Sequence, residues 1–176
     1  MDEYLHRRLV EALLGKPLVS NAFRGTLVEA IIAEALDPDW RWCADGWGSF
    51  DFEGANGIGL EVKQSAARQG WHDDSSKPCP ARFDIAERTG FWDEKSKWVD
   101  SPGRAAAIYV FAHHPIFGPA QADHRDPLQW DFYVTPASEL PAQKSIGLAA
   151  VRRRSSAVGF SGVREAVNAC HRSLTR

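Results

Sequence analysis

Asp51, Glu61 and Lys63 are the residues best placed to do chemistry together. Glu61 and Lys63 are two apart, so on a β-strand both side chains leave the same face. Asp51 and Glu61 flank a Gly54-Ala55-Asn56-Gly57 stretch of turn-forming residues. On one side runs Trp47-Gly-Ser-Phe-Asp-Phe-Glu53, on the other Ile58-Gly-Leu-Glu-Val-Lys63. Two alternating runs about such a turn predict a β-hairpin. Folding back sets Asp51 opposite Leu60 or Glu61, and the three charged groups converge. Neighbouring carboxylates repel unless something neutralises them. Mg²⁺ does so with only one or two carboxylates, waters and phosphate oxygens. A lysine beside such a cation can orient or deprotonate a water, or stabilise charge at phosphorus. The predicted chemistry is hydrolysis of a phosphodiester. The plainer alternative is a surface hairpin with one cross-strand Lys–carboxylate pair. Asp45 and Glu53 are rival carboxylates, Glu53 on the same strand face as Asp51.

The elements around this hairpin follow from periodicity. Leu27, Val28, Ile31, Ile32 and Leu36 recur at helical spacing, which predicts a helix from an Asn21 N-cap to about Leu36, with Pro38 just beyond it. Leu5, Leu9, Val10, Leu13 and Leu14 predict an earlier helix over 4–14, stopped by Gly15 and Pro17. Residues 105–112 and 129–135 read as strands, Pro136 to Leu140 as one helical turn, 146–151 as a last strand and 161–173 as a closing helix. Residues 65–104 hold Gly70, Pro78, Pro80, Gly90, Pro102 and Gly103. A compact domain rarely carries so long a structureless loop, so short strands or a helix are expected there. Long excursions beside a site often form its wall or lid. The expected fold class is α/β in one domain over 1–176. Its parts are an N-terminal helix (1–20), a motif-bearing core (21–65), an irregular insertion (66–104) and the remaining strands with a C-terminal helix (105–176).

Composition narrows the function classes. The chain has 176 residues, 44% of them hydrophobic and 25% charged, which is ordinary for a globular domain. No apolar run reaches the roughly 18–20 residues that span a bilayer. The acidic start, Met1-Asp2-Glu3-Tyr4, lacks a signal-peptide pattern. A soluble cytoplasmic protein is therefore expected, with no membrane partner. Cys43, Cys79 and Cys170 are scattered and odd in number, and suggest no disulfide framework and no metal knuckle. Net charge is −2, with an excess of five acidic residues over 1–60 (5 Lys/Arg, 10 Asp/Glu) and of six basic ones over 141–176 (7 Lys/Arg, 1 Glu). This balance argues against a dedicated basic DNA binder but allows a nucleic-acid enzyme with a local basic face.

Other residues carry weaker signals. Trp40, Trp47 and Trp130 lie within or beside strands and read as core. Trp71, Trp92 and Trp98 lie in the irregular stretch, where packing and the stacking of unpaired bases are both open. Arg152-Arg153-Arg154 could contact phosphates or form a solvated basic edge. His113-His114 end a predicted strand and could face an active edge. His72, Cys79, His113 and His124 lack zinc-ligand spacing. No G-x-S-x-G elbow or P-loop is present.

Asp51, nine residues, then Glu61-Val62-Lys63 resembles the D…ExK signature of the PD-(D/E)xK (restriction-endonuclease-like) phosphodiesterase superfamily. Arg24-Gly25-Thr-Leu-Val-Glu29 is similar to the Lys/Arg-Gly-x-x-x-Glu entry into the first core helix of archaeal Holliday-junction resolvases. Gly59-Leu-Glu-Val-Lys-Gln-Ser-Ala66 is similar to short bacterial nuclease-like proteins. The resemblance implies a restriction-endonuclease-like core with a mixed central β-sheet flanked by helices: a helix, three antiparallel strands, a helix and another strand. It implies that Asp51 and Glu61 bind Mg²⁺ or Mn²⁺, with the Val62 backbone carbonyl as a further ligand. Lys63 would position the attacking water, and Glu29 would help hold a metal or its water. Arg24, Gln64, Arg152 and Arg153 are candidates for holding the substrate backbone. The family aspartate often follows a proline, whereas here Phe50 precedes Asp51. The implied partner is nucleic acid, foremost DNA, with a homodimer or a larger defence or repair complex possible. Rival readings on the same fold are a non-catalytic nucleic-acid-binding or assembly module and a nuclease active only with a partner.

Overall fold

The apolar run of the second predicted helix forms α2 (Asn21–Leu36), which buries Val28, Ile31, Ile32 and Leu36. Ser20, not Asn21, takes the N-cap position. Asn21 is the first helical residue, and its side chain instead accepts a hydrogen bond from Arg24. The computed structural model describes residues 2–44, 48–92 and 97–175. A first helix, α1 (Glu3–Leu14), starts at Asp2, whose carboxylate accepts from the Tyr4 N–H.

A five-stranded mixed sheet lies against α2. Its strands are β1 (Arg41–Trp42), β2 (Phe52–Glu53), β3 (Gly59–Ala66), β7 (Ile108–His114) and β8 (Asp131–Pro136), in the order β1-β2-β3-β7-β8. Only β3 and β7 run parallel. All seven β7 residues are buried, which explains the uninterrupted apolar run of a strand covered on both faces. The expected hairpin is present but asymmetric: β2 is two residues long, and Trp47 lies outside the described residues. Asn56 and Gly57, both in the left-handed region, make the turn.

Alternation along β3 and β7 sorts their side chains onto two faces. Leu60, Val62, Ile108, Val110 and Ala112 pack against α2 and against Val163 and Val167 of the closing helix, α4 (Val163–Leu174). Tyr109 and Phe111 face the other way, against Phe83, Ile85, Ile146 and Val151. These come from β4 (Arg82–Asp84) with the residue after it, β9 (Ser145–Gly147) and α3 (Leu148–Arg152). The expected strand over 146–151 is thus a three-residue strand that turns into a short helix. β4 and β9 pair as a small second sheet. The insertion also holds a hairpin of β5 (Arg88–Trp92) and β6 (Trp98–Gly103).

The fold is therefore mixed α/β. Among the described residues, no helix is long and apolar enough to cross a membrane. The α1 stripe of Leu5, Leu9, Val10 and Leu13 stays exposed. Both sheet faces are already covered, by α2 with α4 and by β4, β9 and α3, so α1 has no core to join.

Candidate active site

Phe52 pairs with Leu60 and Glu53 with Gly59. The ladder ends at Phe52, and Asp51, one residue further out, still faces Leu60. The Asp51 N–H donates to the Leu60 carbonyl at 3.0 Å, and the Asp51 carbonyl accepts from the Cys43 N–H at 2.9 Å. Its carboxylate then reaches across the strand end. Asp51 Oδ2 accepts from the Val62 backbone N–H at 2.7 Å. Gly59 makes room for the Phe50 ring, which a Cβ there would meet at 2.3 Å.

Glu61 and Lys63 leave the β3 face opposite α2, beside Tyr109 and Phe111 of β7. The Lys63 ammonium pairs with the Glu61 carboxylate. Glu29 approaches from α2, and its Oε2 accepts from the Trp42 indole N–H at 3.1 Å. Glu29, Asp51, Glu61 and Lys63 line one cleft of about 570 Å³. Arg88, Phe91, Trp92 and Trp98 line it from the β5–β6 hairpin. The irregular insertion is thus a wall of the cleft.

The cluster is short of positive charge. Burial, with help from Glu61 and Glu29, pushes the Asp51 carboxyl up to about 7, against the pull of the Val62 N–H and Lys63. A hard divalent cation would relieve that repulsion, and carboxylate oxygens are the donors Mg²⁺ takes. Asp51 and Glu61 fit the two-carboxylate mode. Among the described residues, no three His, Cys, Asp or Glu side chains are gathered as a ready-made metal cage. Lys63 engages one oxygen of Glu61 and Trp42 one oxygen of Glu29, which leaves the other oxygen of each for an ion.

Several other predicted residues lie elsewhere. Arg24 is buried and does not line the cleft. Its guanidinium donates to Gln64 at 2.7 Å, Gln69 at 2.8 Å and Asn21 at 2.8 Å. Gln64 is therefore tied to α2, on the β3 face away from Glu61 and Lys63. Arg152 and Arg153 are exposed at the end of α3, outside the cleft. Arg152 donates to the Tyr133 hydroxyl at 3.0 Å. Glu53 pairs with Arg41 across β1–β2 and does not line the cleft. Asp45 lies outside the described residues. His113 and His114 are buried. The His114 ring packs edge-on against His124 and Trp130, away from the carboxylates.

Arg88, Phe91 and Trp42 went unmarked in the sequence. Arg88 lines the cleft while its guanidinium meets Asp84 at 2.7 Å. The alternation of Arg88 to Trp92 is too short to announce a strand, and nothing local ties it to Asp51. Trp42 could have been suspected only from its place after α2. Comparison with protein-family models, curated proteins and solved structures gives no significant match to this chain.

Proposed function

We propose that this cleft hydrolyses phosphodiester bonds in nucleic acid, foremost DNA, with Mg²⁺ or Mn²⁺, on a restriction-endonuclease-like core. The observation that carries the reading is the convergence of Glu29, Asp51, Glu61 and Lys63 on one cleft, where Glu61 and Glu29 bear on the charge of Asp51. The strand order adds support. Three antiparallel strands are followed by a fourth parallel to the third, after a first helix that carries Glu29. The connection between β3 and β7 departs from the family pattern: among its described residues it holds strands β4, β5 and β6 where the pattern has a helix.

In this reading Asp51 and Glu61 hold the cation, with the Val62 carbonyl as the further candidate ligand. When bound, the cation lowers the pKa of a coordinated water and offsets charge at the phosphate. Lys63, kept as an ammonium by Glu61, would orient that water or stabilise charge at the phosphate. Glu29 adds an acidic group from the α2 side, fixed by Trp42. Arg88 supplies positive charge at the opposite wall for a phosphate oxygen. Arg24 and Gln64 act as positioning residues, because their mutual hydrogen bond ties α2, and with it Glu29, to β3.

A nuclease that needs a partner is the second reading. It is favoured by one observation: each carboxylate already has a donor partner in the isolated chain. One assay separates the two. Purified protein is incubated with plasmid, linear duplex and single-stranded DNA in Mg²⁺, Mn²⁺ or EDTA, alongside Asp51→Ala and Lys63→Ala. Metal-dependent cleavage lost in both variants supports the first reading. No cleavage, with metal binding that disappears in Asp51→Ala, supports the second. No metal binding at all sinks both.

A further inference from the structure

We propose that the β5–β6 hairpin is a stacking arm, and that the cleft takes a nucleic-acid strand whose bases are unpaired. The inference rests on the phosphodiester reading of the cleft and adds the state of the bases beside the scissile phosphate.

Trp92 and Trp98 are direct cross-strand partners in the hairpin. Their rings meet edge to face, with centroids 5.5 Å apart. That arrangement leaves at least one face of each indole uncovered by the other. Both are 39–45% exposed, which is unusual for the largest apolar side chain. Both line the cleft that Asp51, Glu61 and Lys63 also line.

The orientation of Trp98 is built in. A Cβ on Gly90 would come within 2.2 Å of the Val99 carbonyl and 2.8 Å of the Trp98 ring. The indole therefore lies over Gly90, where only a glycine lets it. Its N–H donates to Asp100 at 2.7 Å, so the ring is held at its polar edge while 39% of the residue stays exposed. Arg88, at the base of the same strand, lines the cleft as a cation for the backbone.

A wall of open indoles plus one cation suits a single strand. Stacking accepts any base because every base has a π-face, and the backbone is tracked by charge. A duplex presents no base faces to such a wall, since they are stacked within the helix. The other exposed tryptophan of the insertion, Trp71, is 70% exposed but lies outside the cleft, and it serves as the internal control.

The test is equilibrium binding by fluorescence anisotropy in EDTA, where no cleavage intervenes. The full chain is titrated against labelled oligothymidylate and a labelled duplex of equal length. The expected result is single-strand binding at least about tenfold tighter than duplex binding. Trp92→Ala and Trp98→Ala should each weaken single-strand binding roughly 5- to 100-fold and leave duplex binding unchanged. Trp92→Phe and Trp98→Phe keep a ring for the cross-strand pair and should lose only a few-fold, by about a factor of three. Trp71→Ala should bind as wild type. Equal or tighter binding of the duplex, or wild-type affinity in both alanine variants, overturns the inference. Loss of stacking with metal-dependent cleavage intact overturns this inference alone. Intact stacking with no metal-dependent cleavage overturns the nuclease reading alone.

Discussion

The Asp51 carboxylate accepts a hydrogen bond from the Val62 backbone N–H at 2.7 Å. The bond crosses from the residue just ahead of β2 to the middle residue of the Glu61-Val62-Lys63 run. It fixes the one acidic side chain that must turn off its own strand to meet the other two. The same bond pulls the Asp51 carboxyl down, yet burial and the neighbouring Glu61 and Glu29 still leave it at about 7. The site is therefore organised and under charge strain at once.

If Asp51 and Glu61 hold the cation while Lys63 handles the water, their variants fail differently. Lys63→Ala should lower kcat by about 100-fold or more while leaving metal affinity within about threefold. Asp51→Ala should lose both cleavage and metal binding. Single-turnover cleavage and calorimetric Mn²⁺ titration check this, and equal loss of metal binding in both variants would contradict it.

Asp51 also sets a stability trend with pH. Its folded pKa, near 7, lies above the 3.8 usual for the unfolded chain. The folded state thus holds a proton that the unfolded state has released. Stability from this residue falls as pH rises from about 4 to 7, and the full penalty stands above 7. Asp51→Asn should raise stability by roughly 2–4 kcal/mol at pH 8 in EDTA, with the gain fading towards pH 4. Urea denaturation at several pH values measures it. Mg²⁺ should stabilise the wild type and not Asp51→Asn.

His124 pulls the other way on the acid side. Its Nδ1 accepts from the Val19 N–H at 3.1 Å, and its Nε2 lies 3.2 Å from the Arg68 carbonyl. Burial, with Arg24 and His114 nearby, drops it to about 4 from 6.5. The unfolded chain gains a proton below 6.5 that the fold refuses, so this contribution is lost as pH falls from 6.5 to 4. The loss reaches at most about 3 kcal/mol. His113 and His114 shift in the same direction, mainly by burial. His124→Asn should flatten the acid limb of the stability–pH curve whatever its effect on the midpoint at neutral pH.

Arg24 offers a test of fold against substrate contact. Its guanidinium is buried and bonded to Gln64, Gln69 and Asn21. Arg24→Ala leaves the Gln64 and Gln69 side-chain oxygens without this donor, while Asn21 keeps the Gln64 amide at 3.2 Å, and should cost about 2–4 kcal/mol of stability. The slope of DNA affinity against salt should not change, because no phosphate contact is removed. A slope smaller by about one would return Arg24 to the substrate.

A glycine and a core residue test the scaffold of the cleft. Gly90→Ala places a Cβ against the Val99 carbonyl and should loosen the β5–β6 hairpin without global unfolding, seen as faster amide exchange confined to 88–103. Leu60→Ala, which empties a fully buried site between β3 and α2, should instead destabilise the whole fold by about 2–5 kcal/mol.

The local chemistry of the chain was enough for α2, for β7 and for the turn at 54–57. Helical spacing of Val28, Ile31, Ile32 and Leu36, the unbroken apolar run of β7, and the Asn56-Gly57 pair each act over a few residues. It was also enough to bring Asp51, Glu61 and Lys63 together, because a short hairpin allows only one or two registers. Whether they meet at a metal is a matter for the assays above. What local pattern cannot carry is the partner of each surface. The α1 stripe forms the expected helix but stays exposed, because burial depends on a free core face that α2 and α4 already occupy. Glu53 shares a strand face with Asp51, yet Asp51, just ahead of β2, reaches the Val62 N–H on β3 while Glu53 turns to Arg41 on β1. Arg24 looked like a cation for phosphate and is instead a buried tie between α2 and β3. Trp92 and Trp98 became a wall of the cleft only when β5 and β6 folded beside a strand some thirty residues earlier. Periodicity and turn chemistry are short-range and survive in sequence, whereas burial, register between distant strands and the far wall of a cleft are properties of the assembled fold.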